Sequence, residues 1–407
     1  MILFKERYPL SYYLLLLYSF LLPIEDFFLQ GIFGSASRIA GGLVIAVYFI
    51  YEKNETNLKL VHKGYYLFTL WAIMSVIAWS QYPDYYSIIR LILWLLITII
   101  VANMIYWRPS FTPYIFTAFT LSSIYLVYVS LYQFLQGASI DELDRVNIEE
   151  IDQNLLAMSF LVSIAFLLFV IFHQSLSFMM RSIILLGILL FFGGVISTGS
   201  RSSIITLILF TLYIIPKKDI IKSSNIILFV TFTVFILLIF ETDNPFQRFL
   251  NYRINLAFED KGANRLIIWS VAPEMIKDNL ITGVGFRNFP YRFKDYLDLT
   301  PLDVLDYEKM GGREFVGSHN TVIEVISELG IVGFILYYWF QITMVIKLIK
   351  VQKVLNYSIL LIALLVGLNV NGLFIQITNL KVFWLLIGIA SGLKLMNNKS
   401  AYELPAL

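Results

Sequence analysis

The chain has 407 residues, of which 58% are hydrophobic and 14% carry a charged side chain. Soluble proteins are about 25% charged on average, so the composition excludes a soluble enzyme and a disordered chain. The net charge is only +2 and cysteine is absent. The chain therefore offers neither a basic excess for nucleic acid nor a thiolate for metal binding or catalysis.

Long apolar runs predict an all-α polytopic membrane protein with about twelve transmembrane helices. Twelve helices of about 20 residues would use about 240 residues, which is close to the apolar content of the chain. Charged or turn-forming residues bound each run. The predicted helices cover residues 8–24, 33–51, 64–80, 86–106, 113–136, 154–173, 180–197, 201–215, 224–241, 330–349, 357–372 and 378–396.

The distribution of lysine and arginine predicts the orientation of these helices. If the amino terminus is cytoplasmic, the inner segments hold 15 of the 30 basic residues and the short outer segments hold 5. Cytoplasmic segments carry the excess of basic residues, so we expect both termini in the cytoplasm. The chain then divides into helices 1–9 (residues 1–241), a long outer loop (242–318), and an interfacial helix with helices 10–12 (319–407).

The outer loop of residues 242–318 is the only sizeable extramembrane unit that the sequence predicts. Loops of this length are usually functional or disordered. Its aromatic residues, including Trp269, and a predicted helix near 264–278 favour an ordered structure. Outer residues 137–153 form a second, shorter segment that is strongly acidic.

An arginine between two predicted helices is a candidate anion-binding residue. Arg201 lies in the hydroxyl-rich segment Ser197–Ser203, in which Gly199 indicates a tight turn. The hydroxyl groups are suited to capping the following helix, whose amino-terminal end favours an anion. An arginine also offers a planar fork to phosphate oxygens. The alternative is contact with lipid head groups, and for Arg38 and Arg90 at other outer helix ends that alternative is favoured.

A histidine at the end of the outer loop is a candidate proton acceptor. The pattern that follows His319 predicts an interfacial helix with Thr321 and Glu324 as its capping box, and Gly330 precedes the next span. We expect His319 in the first turn, where the helix dipole disfavours imidazolium. A neutral imidazole is able to take a proton from a hydroxyl group. A structural role at the membrane surface is an equal alternative. Apolar residues form one face and polar residues the other: Val322, Val325, Ile326 and Leu329 against Asn320, Glu324, Ser327 and Glu328.

Four motifs, in this order, resemble the O-antigen ligase and polymerase superfamily of bacterial membrane glycosyltransferases. Residues 152–157 resemble the start of a middle helix of that family, and residues 197–203 resemble its Thr-x-Ser-Arg turn. Residues 264–289 resemble its outer-loop segment. Residues 318–333 resemble its most recognisable stretch. The resemblance covers about residues 150–340.

The resemblance implies a GT-C-like architecture in the bacterial inner membrane, with a periplasmic loop over an outward-opening cavity. It also implies a donor glycan on undecaprenyl diphosphate. By resemblance, Arg201 and Arg265 hold the donor diphosphate and His319 handles the acceptor. From its position alone, Arg265 is equally well explained as a solvated loop arginine. Nothing is carried over to Arg287, where the family usually has a small or polar residue.

Three further polar residues of the matched motifs are candidates for supporting roles at the same site: Asn154, Asn320 and Glu324. The sequence contains no Asp-x-Asp motif, and its nearest variants are Glu142-Leu143-Asp144 and Glu150-Ile151-Asp152. We therefore expect a glycosyltransferase that uses neither a metal nor another cofactor, with arginines supplying the positive charge. We expect no nucleic acid partner.

The predicted function is polymerisation of lipid-linked repeat units by inverting glycosyl transfer at the periplasmic face. The alternative is a ligase that transfers the finished glycan to lipid A-core. The outer loop is nearly neutral, with ten basic and eleven acidic residues, which favours the polymerase over a ligase facing a phosphate-rich core. A lipid-linked oligosaccharide transporter is less favoured, because transporters often contain paired repeats and the two halves of this sequence show no such repeat. Expected partners are the undecaprenyl-diphosphate-linked oligosaccharide, membrane lipid and a chain-length regulator protein.

Overall fold

The computed structural model describes residues 8–25, 35–53, 56–136, 153–215, 265–297, 316–352 and 356–393. In these ranges the regular structure consists of thirteen α-helices and two short 3₁₀ turns, without strands. The helices are α1 (Leu10–Leu21), α2 (Ala36–Tyr51), α3 (Lys63–Ala78), α4 (Tyr85–Trp107), α5 (Thr112–Gln136), α6 (Gln153–His173), α7 (Phe178–Ser197), α8 (Arg201–Ile214), α9 (Arg265–Asp278), α10 (Phe289–Leu297), α11 (Thr321–Val351), α12 (Tyr357–Asn371) and α13 (Lys381–Gly392).

Eleven of the twelve predicted transmembrane helices coincide with helices of the structure. The ninth, at 224–241, lies outside the described residues. Among those described, α4, α5, α6, α7 and α11 are long and apolar enough to cross a membrane. Helices α1, α2, α3, α8, α12 and α13 are apolar but shorter, at 12 to 16 residues. The prediction of an all-α membrane protein is therefore confirmed in its coarse form.

An aromatic cluster joins α3, α4, α11 and α13 in the middle of the bundle. Trp384 stacks on Tyr65 at 5.1 Å and on Trp94 at 5.8 Å between ring centroids. It also faces Phe340 at 6.5 Å. Helices in a bilayer associate mainly through close packing rather than through the hydrophobic effect. Large complementary rings are therefore an effective way to hold these four helices together.

Small residues let α13 approach α4 closely. A Cβ added at Gly392 would lie 2.4 Å from the carbonyl oxygen of Ala102, and one added at Gly388 would lie 2.9 Å from Val101. These two glycines are four residues apart and therefore lie on one face of α13. Such small-xxx-small faces are typical of membrane helix contacts.

Helices α9 and α10 form a second, smaller core outside the main bundle. Their buried side chains include Ile267, Val271, Met275, Phe289 and Phe293. Helix α9 covers Arg265–Asp278, which confirms the helix predicted near 264–278. Residues 242–264 and 298–315 of the predicted outer loop lie outside the described residues.

The loop between α9 and α10 pairs with the carbonyl end of the first part of α11, residues 321–329. The amide of Val284 donates to the carbonyl of Ser327 at 2.9 Å, and the amide of Gly285 donates to the carbonyl of Glu328 at 2.8 Å. Helix ends leave carbonyl groups without intrahelical partners. The loop satisfies them and so ties α9 and α10 to α11.

Helix α11 bends at Gly330, as the sequence predicted for the junction between an interfacial helix and a span. The backbone at Gly330 has φ 64° and ψ −171°, a region essentially restricted to glycine. The bend separates residues 321–329 from the span that follows.

We predict that Gly330→Ala destabilises the fold by more than about 1 kcal/mol, because alanine is strained in this conformation. An added Cβ would also lie 2.2 Å from the carbonyl oxygen of Ile281. The matched control is Gly42→Ala in α2, where an added Cβ meets nothing within 4 Å. Thermal unfolding midpoints in lipid should fall for the first variant and stay or rise for the second. Equal midpoints would contradict the role of this bend.

Candidate active site

The turn between α7 and α8 positions Arg201. Gly199 has φ 64°, which confirms the predicted tight turn. The hydroxyl of Thr198 donates to the carbonyl of Val195 at 2.7 Å and accepts from the amide of Ser200 at 3.3 Å. Arg201 is the first residue of α8 and is half-buried. The positive end of the helix dipole therefore lies at the backbone of Arg201.

A network of hydroxyl and amide groups fixes this turn against two other helices. Ser200 donates to Oδ1 of Asn154 at 3.0 Å and lies 2.9 Å from the hydroxyl of Ser203. Asn371, the last residue of α12, donates to the hydroxyl of Ser203 at 3.3 Å. Its Oδ1 accepts from Ser202 at 3.3 Å. The predicted supporting residue Asn154 therefore lies directly beside the Arg201 turn.

The expectation that a hydroxyl side chain caps α8 is wrong. Ser200 occupies the N-cap position, but its side chain makes no bond to a backbone amide of α8. Its hydroxyl is instead used in the network with Asn154 and Ser203. This leaves the amide end of α8 without a side-chain cap from Ser200.

His319 lies before α11 and not in its first turn, which corrects the prediction. Its side chain is exposed. Its backbone has φ 47°, a left-handed conformation that is uncommon for residues other than glycine. Such a conformation costs about 1–3 kcal/mol and persists only where the surroundings impose it.

The helix cap is Asn320, one residue earlier than predicted. Its Oδ1 accepts from the amides of Val322 at 2.8 Å and Ile323 at 3.1 Å. The predicted capping box of Thr321 and Glu324 is therefore wrong. Asparagine is among the strongest N-cap residues, and here its position moves the start of the helix to Thr321.

The loop after α12 holds the residues that follow His319. The amide of Thr321 donates to the carbonyl of Gly372 at 2.7 Å. The hydroxyl of Thr321 donates to the carbonyl of Ile375 at 2.8 Å. The Asn320 side chain donates to the carbonyl of Leu373 at 2.9 Å. Because Gly372 follows Asn371 directly, one segment holds both the Arg201 turn and the His319 segment.

Helix α9 also meets the His319 segment. Arg265 is the first residue of α9, and Trp269 lies one turn later on the same face. The indole of Trp269 donates to the carbonyl of Ser318 at 2.9 Å. The structure therefore brings the first residues of α8 and α9 and the exposed His319 to one end of the bundle through shared contacts.

Two buried carboxyl groups lie on the helix that begins after His319. Glu324 is 3% exposed and accepts from the hydroxyl of Thr378 at 2.6 Å. Glu328 is 2% exposed and accepts from the amides of Arg287 at 2.6 Å and Phe289 at 3.2 Å. The carboxylate of Glu328 thus lies at the amino-terminal end of α10, where the helix dipole stabilises negative charge. The predicted polar face of this helix is buried rather than exposed.

Arg287 is a polar residue of this region to which the sequence assigns no role. Its backbone has φ 64°. Its Nη1 atom is buried and has no hydrogen-bond partner in the part of the chain that the structure describes. An unpaired donor in the protein interior is costly. The run of left-handed positions at Gly283, Gly285 and Arg287 is a feature that the sequence signals only through its glycines.

The two acidic triplets considered as metal-binding variants, Glu142–Asp144 and Glu150–Asp152, lie outside the described residues.

Part of the chain matches a known protein family. A family model described as O-antigen ligase matches residues 186–338. The match includes Arg201, Arg265 and His319. A search of curated proteins gives no match to the chain.

We predict that Glu328→Gln destabilises the protein by about 1–3 kcal/mol. Glutamine presents one oxygen and one NH₂ group, so one of the two backbone amides loses its acceptor. The matched control is Glu274→Gln, since Glu274 is 43% exposed and pairs only with Lys277 on the surface of α9 among the described residues. Exposed pairs contribute little, so the thermal midpoint should fall for the first variant only. An equally small change in both variants would show that the hydrogen bonds from the amides of Arg287 and Phe289 do not need a carboxylate acceptor.

Proposed function

We propose that the chain, whose residues 186–338 match a family model described as O-antigen ligase, is a periplasm-facing glycosyltransferase of the O-antigen ligase and polymerase superfamily. It joins repeat units carried on undecaprenyl diphosphate into a surface polysaccharide. The observation that supports the proposal most is the common anchoring of Arg201, Arg265 and His319. Asn371 and Gly372 connect the Arg201 turn to the segment that follows His319. Trp269, one turn after Arg265, connects α9 to Ser318 beside His319.

In the proposed mechanism the two arginines bind the donor diphosphate. A lipid diphosphate gains negative charge as its bond to the sugar breaks, so fixed positive groups lower the barrier. Arg201 and Arg265 are each the first residue of a helix. The helix ends therefore add their own partial positive charge to the guanidinium groups. The proposal needs no metal ion or other cofactor.

His319 acts on the acceptor. The acceptor hydroxyl oxygen attacks the anomeric carbon, the bond from that carbon to the diphosphate oxygen breaks, and the hydroxyl proton passes to the imidazole. A single displacement inverts the anomeric configuration. The exposure of His319 and its left-handed backbone are consistent with a side chain held toward a substrate.

The supporting residues act through their neighbours in this proposal. Asn154 positions the Arg201 turn through Ser200. Asn320 positions His319 by capping α11 and bonding to the loop after α12. Glu324 stabilises that loop through Thr378.

We also propose the finer topology that the sequence predicted. Twelve helices cross the bacterial inner membrane, both termini are cytoplasmic, and residues 242–318 form the periplasmic loop. A chain-length regulator is a proposed protein partner of this arrangement.

The second candidate function is an O-antigen ligase, and the description of the matching family model supports it. Both reactions use the same donor and differ in the acceptor. We favour the polymerase because the loop of residues 242–318 has ten basic and eleven acidic residues. A ligase that meets a phosphate-rich lipid A-core is expected to be more basic.

We predict that Arg201→Lys lowers the rate of polymer formation by about 10²-fold, because lysine lacks the bidentate fork. The matched control is Arg181→Lys in the first turn of α7, at the end of that helix opposite Ser197. The measurement is the initial rate with purified protein in lipid and a defined undecaprenyl-diphosphate-linked repeat unit. A fully active Arg201→Lys variant would remove this residue from diphosphate binding.

We predict that wild-type protein converts the repeat unit into a ladder of lipid-linked oligomers and that His319→Ala does not. Because His319 is exposed, this variant should still fold, and a cooperative thermal unfolding transition in lipid checks this. The control is His62→Ala, whose histidine caps α3, and it should retain the ladder.

If wild-type protein forms no ladder but transfers the glycan to added lipid A-core, the ligase is correct. A ladder from His319→Ala would exclude the proposed role of His319.

A further inference from the structure

An apolar groove with a cationic end lies between α2 and α4. Three basic residues are found at its polar end: Arg38 in the first turn of α2, Arg90 in the second turn of α4, and Lys381 at the start of α13. Ile89 in its wall is 54% exposed, so the groove opens sideways from the bundle. Its apolar walls are formed by Tyr18, Gly41, Ile45, Ile89, Leu93, Trp94 and Ile97.

Two of these cations are held in place by one tyrosine. The guanidinium carbon of Arg90 lies 5.0 Å from the centroid of the Tyr86 ring, and that of Arg38 lies 5.7 Å from it. Arg38 also donates a hydrogen bond to the Tyr86 hydroxyl. Stacking on an aromatic ring stabilises a guanidinium group and limits its rotation. The two planar forks are therefore prearranged at the end of the groove.

Among the described residues, only two carboxylates pair with the basic residues at this end of the groove. Asp84 pairs with Nη2 of Arg90 at 3.1 Å, and Glu25 pairs with Lys381. Arg38 has no ion pair within the described ranges. The Nε atom of Arg90 is buried, and no described residue accepts a hydrogen bond from it. Two guanidinium groups on one ring, with a buried Arg90 donor that no described residue uses, are complementary to an anion.

Lys381 links the groove to the candidate active site. It also lines a second cavity, together with Leu155 and Ser159 of α6. Leu155 directly follows Asn154, whose Oδ1 accepts from Ser200 in the Arg201 turn. The groove and the Arg201 turn therefore lie at the same end of the bundle.

We propose that this groove binds the diphosphate and the first isoprenoid units of the lipid-linked acceptor. The inference rests on the proposed polymerase function, since a polymerase must hold two lipid-linked glycans at once. Arg201 and Arg265 serve the donor diphosphate, which leaves during the reaction. The acceptor diphosphate does not react, so it needs a separate site that holds the lipid in place. A cationic end on an apolar groove that opens sideways matches a phosphate group attached to a hydrocarbon chain.

Binding of undecaprenyl diphosphate to the purified protein, measured by native mass spectrometry, tests this directly. Wild-type protein should bind two molecules. Arg38→Gln with Arg90→Gln should bind one, as should Arg201→Gln with Arg265→Gln, and the combination of all four should bind none. The control is Arg108→Gln at the other end of α4, where the guanidinium stacks on Tyr8 and Tyr12, and it should bind two. A stoichiometry of two in the Arg38 and Arg90 double variant would overturn the proposal.

Competition identifies the ligand of the groove. With the donor pair removed by substitution, undecaprenyl diphosphate should bind at least about tenfold more tightly than phosphatidylglycerol or inorganic diphosphate. A loss of about tenfold is expected for each groove arginine, since a hydrogen bond to a charged group contributes about 1.5–3 kcal/mol. Equal binding of phosphatidylglycerol would make the groove a general phospholipid site and overturn the acceptor assignment.

Kinetics separate this inference from the proposed function. The acceptor is an undecaprenyl-linked repeat unit with a phosphonate at the sugar, which cannot serve as a donor. Substituting Arg38 and Arg90 by glutamine should raise KM for this acceptor about tenfold or more and leave KM for the donor unchanged. A ladder formed with unchanged acceptor KM overturns the groove assignment and leaves the polymerase intact. Groove binding without a ladder in wild-type protein overturns the polymerase, and the acceptor role with it.

Discussion

The contacts of Asn371 and Gly372 at the end of α12 determine the geometry of the candidate site. The Asn371 side chain is fully buried and holds the Arg201 turn through Ser203. The carbonyl of Gly372 holds the start of α11 beside His319. A buried amide is stable only if its hydrogen bonds are made. The directions of these bonds therefore fix two chain segments that lie far apart in the sequence.

The same requirement explains how α9 and α10 are attached. Backbone groups near the apolar part of a membrane need partners within the protein. At the bend in α11, the indole of Trp71 donates to the carbonyl of Leu329, and the indole of Trp79 donates to the carbonyl of Thr282. Together with the amides of the loop before α10, these groups pair the irregular backbone on both sides of Gly330. Helices α9 and α10 are thus positioned by hydrogen bonds as well as by apolar packing.

The two arginine sites differ in what surrounds them. The arginines proposed for the donor begin helices, where the partial charge of the helix end reinforces a group that must stabilise developing charge. Arg38 and Arg90 also lie near helix starts, but they stack on Tyr86 above an apolar wall. That arrangement favours steady binding of a phosphate with a hydrocarbon chain rather than stabilisation of a leaving group. The proposed division between donor and acceptor follows from this difference.

The sequence alone determined the parts of the structure that depend on local patterns. Apolar runs located eleven helices of the described bundle, Gly199 marked the turn before Arg201, and Gly330 marked the bend in α11. Short-range patterns were less reliable at the start of α11, where they predicted a capping box of Thr321 and Glu324 and the structure has Asn320 as the cap.

Only the tertiary structure decided which polar residues meet. Ser202 and Asn371 are 169 residues apart, and Trp269 reaches Ser318 across 49 residues. No sequence periodicity predicts such pairs, because each partner by itself is an ordinary polar residue in or beside an apolar helix. The left-handed backbone of His319 has the same origin. This backbone conformation is unfavourable in an isolated segment, and the contacts of neighbouring residues with distant segments hold the chain in it.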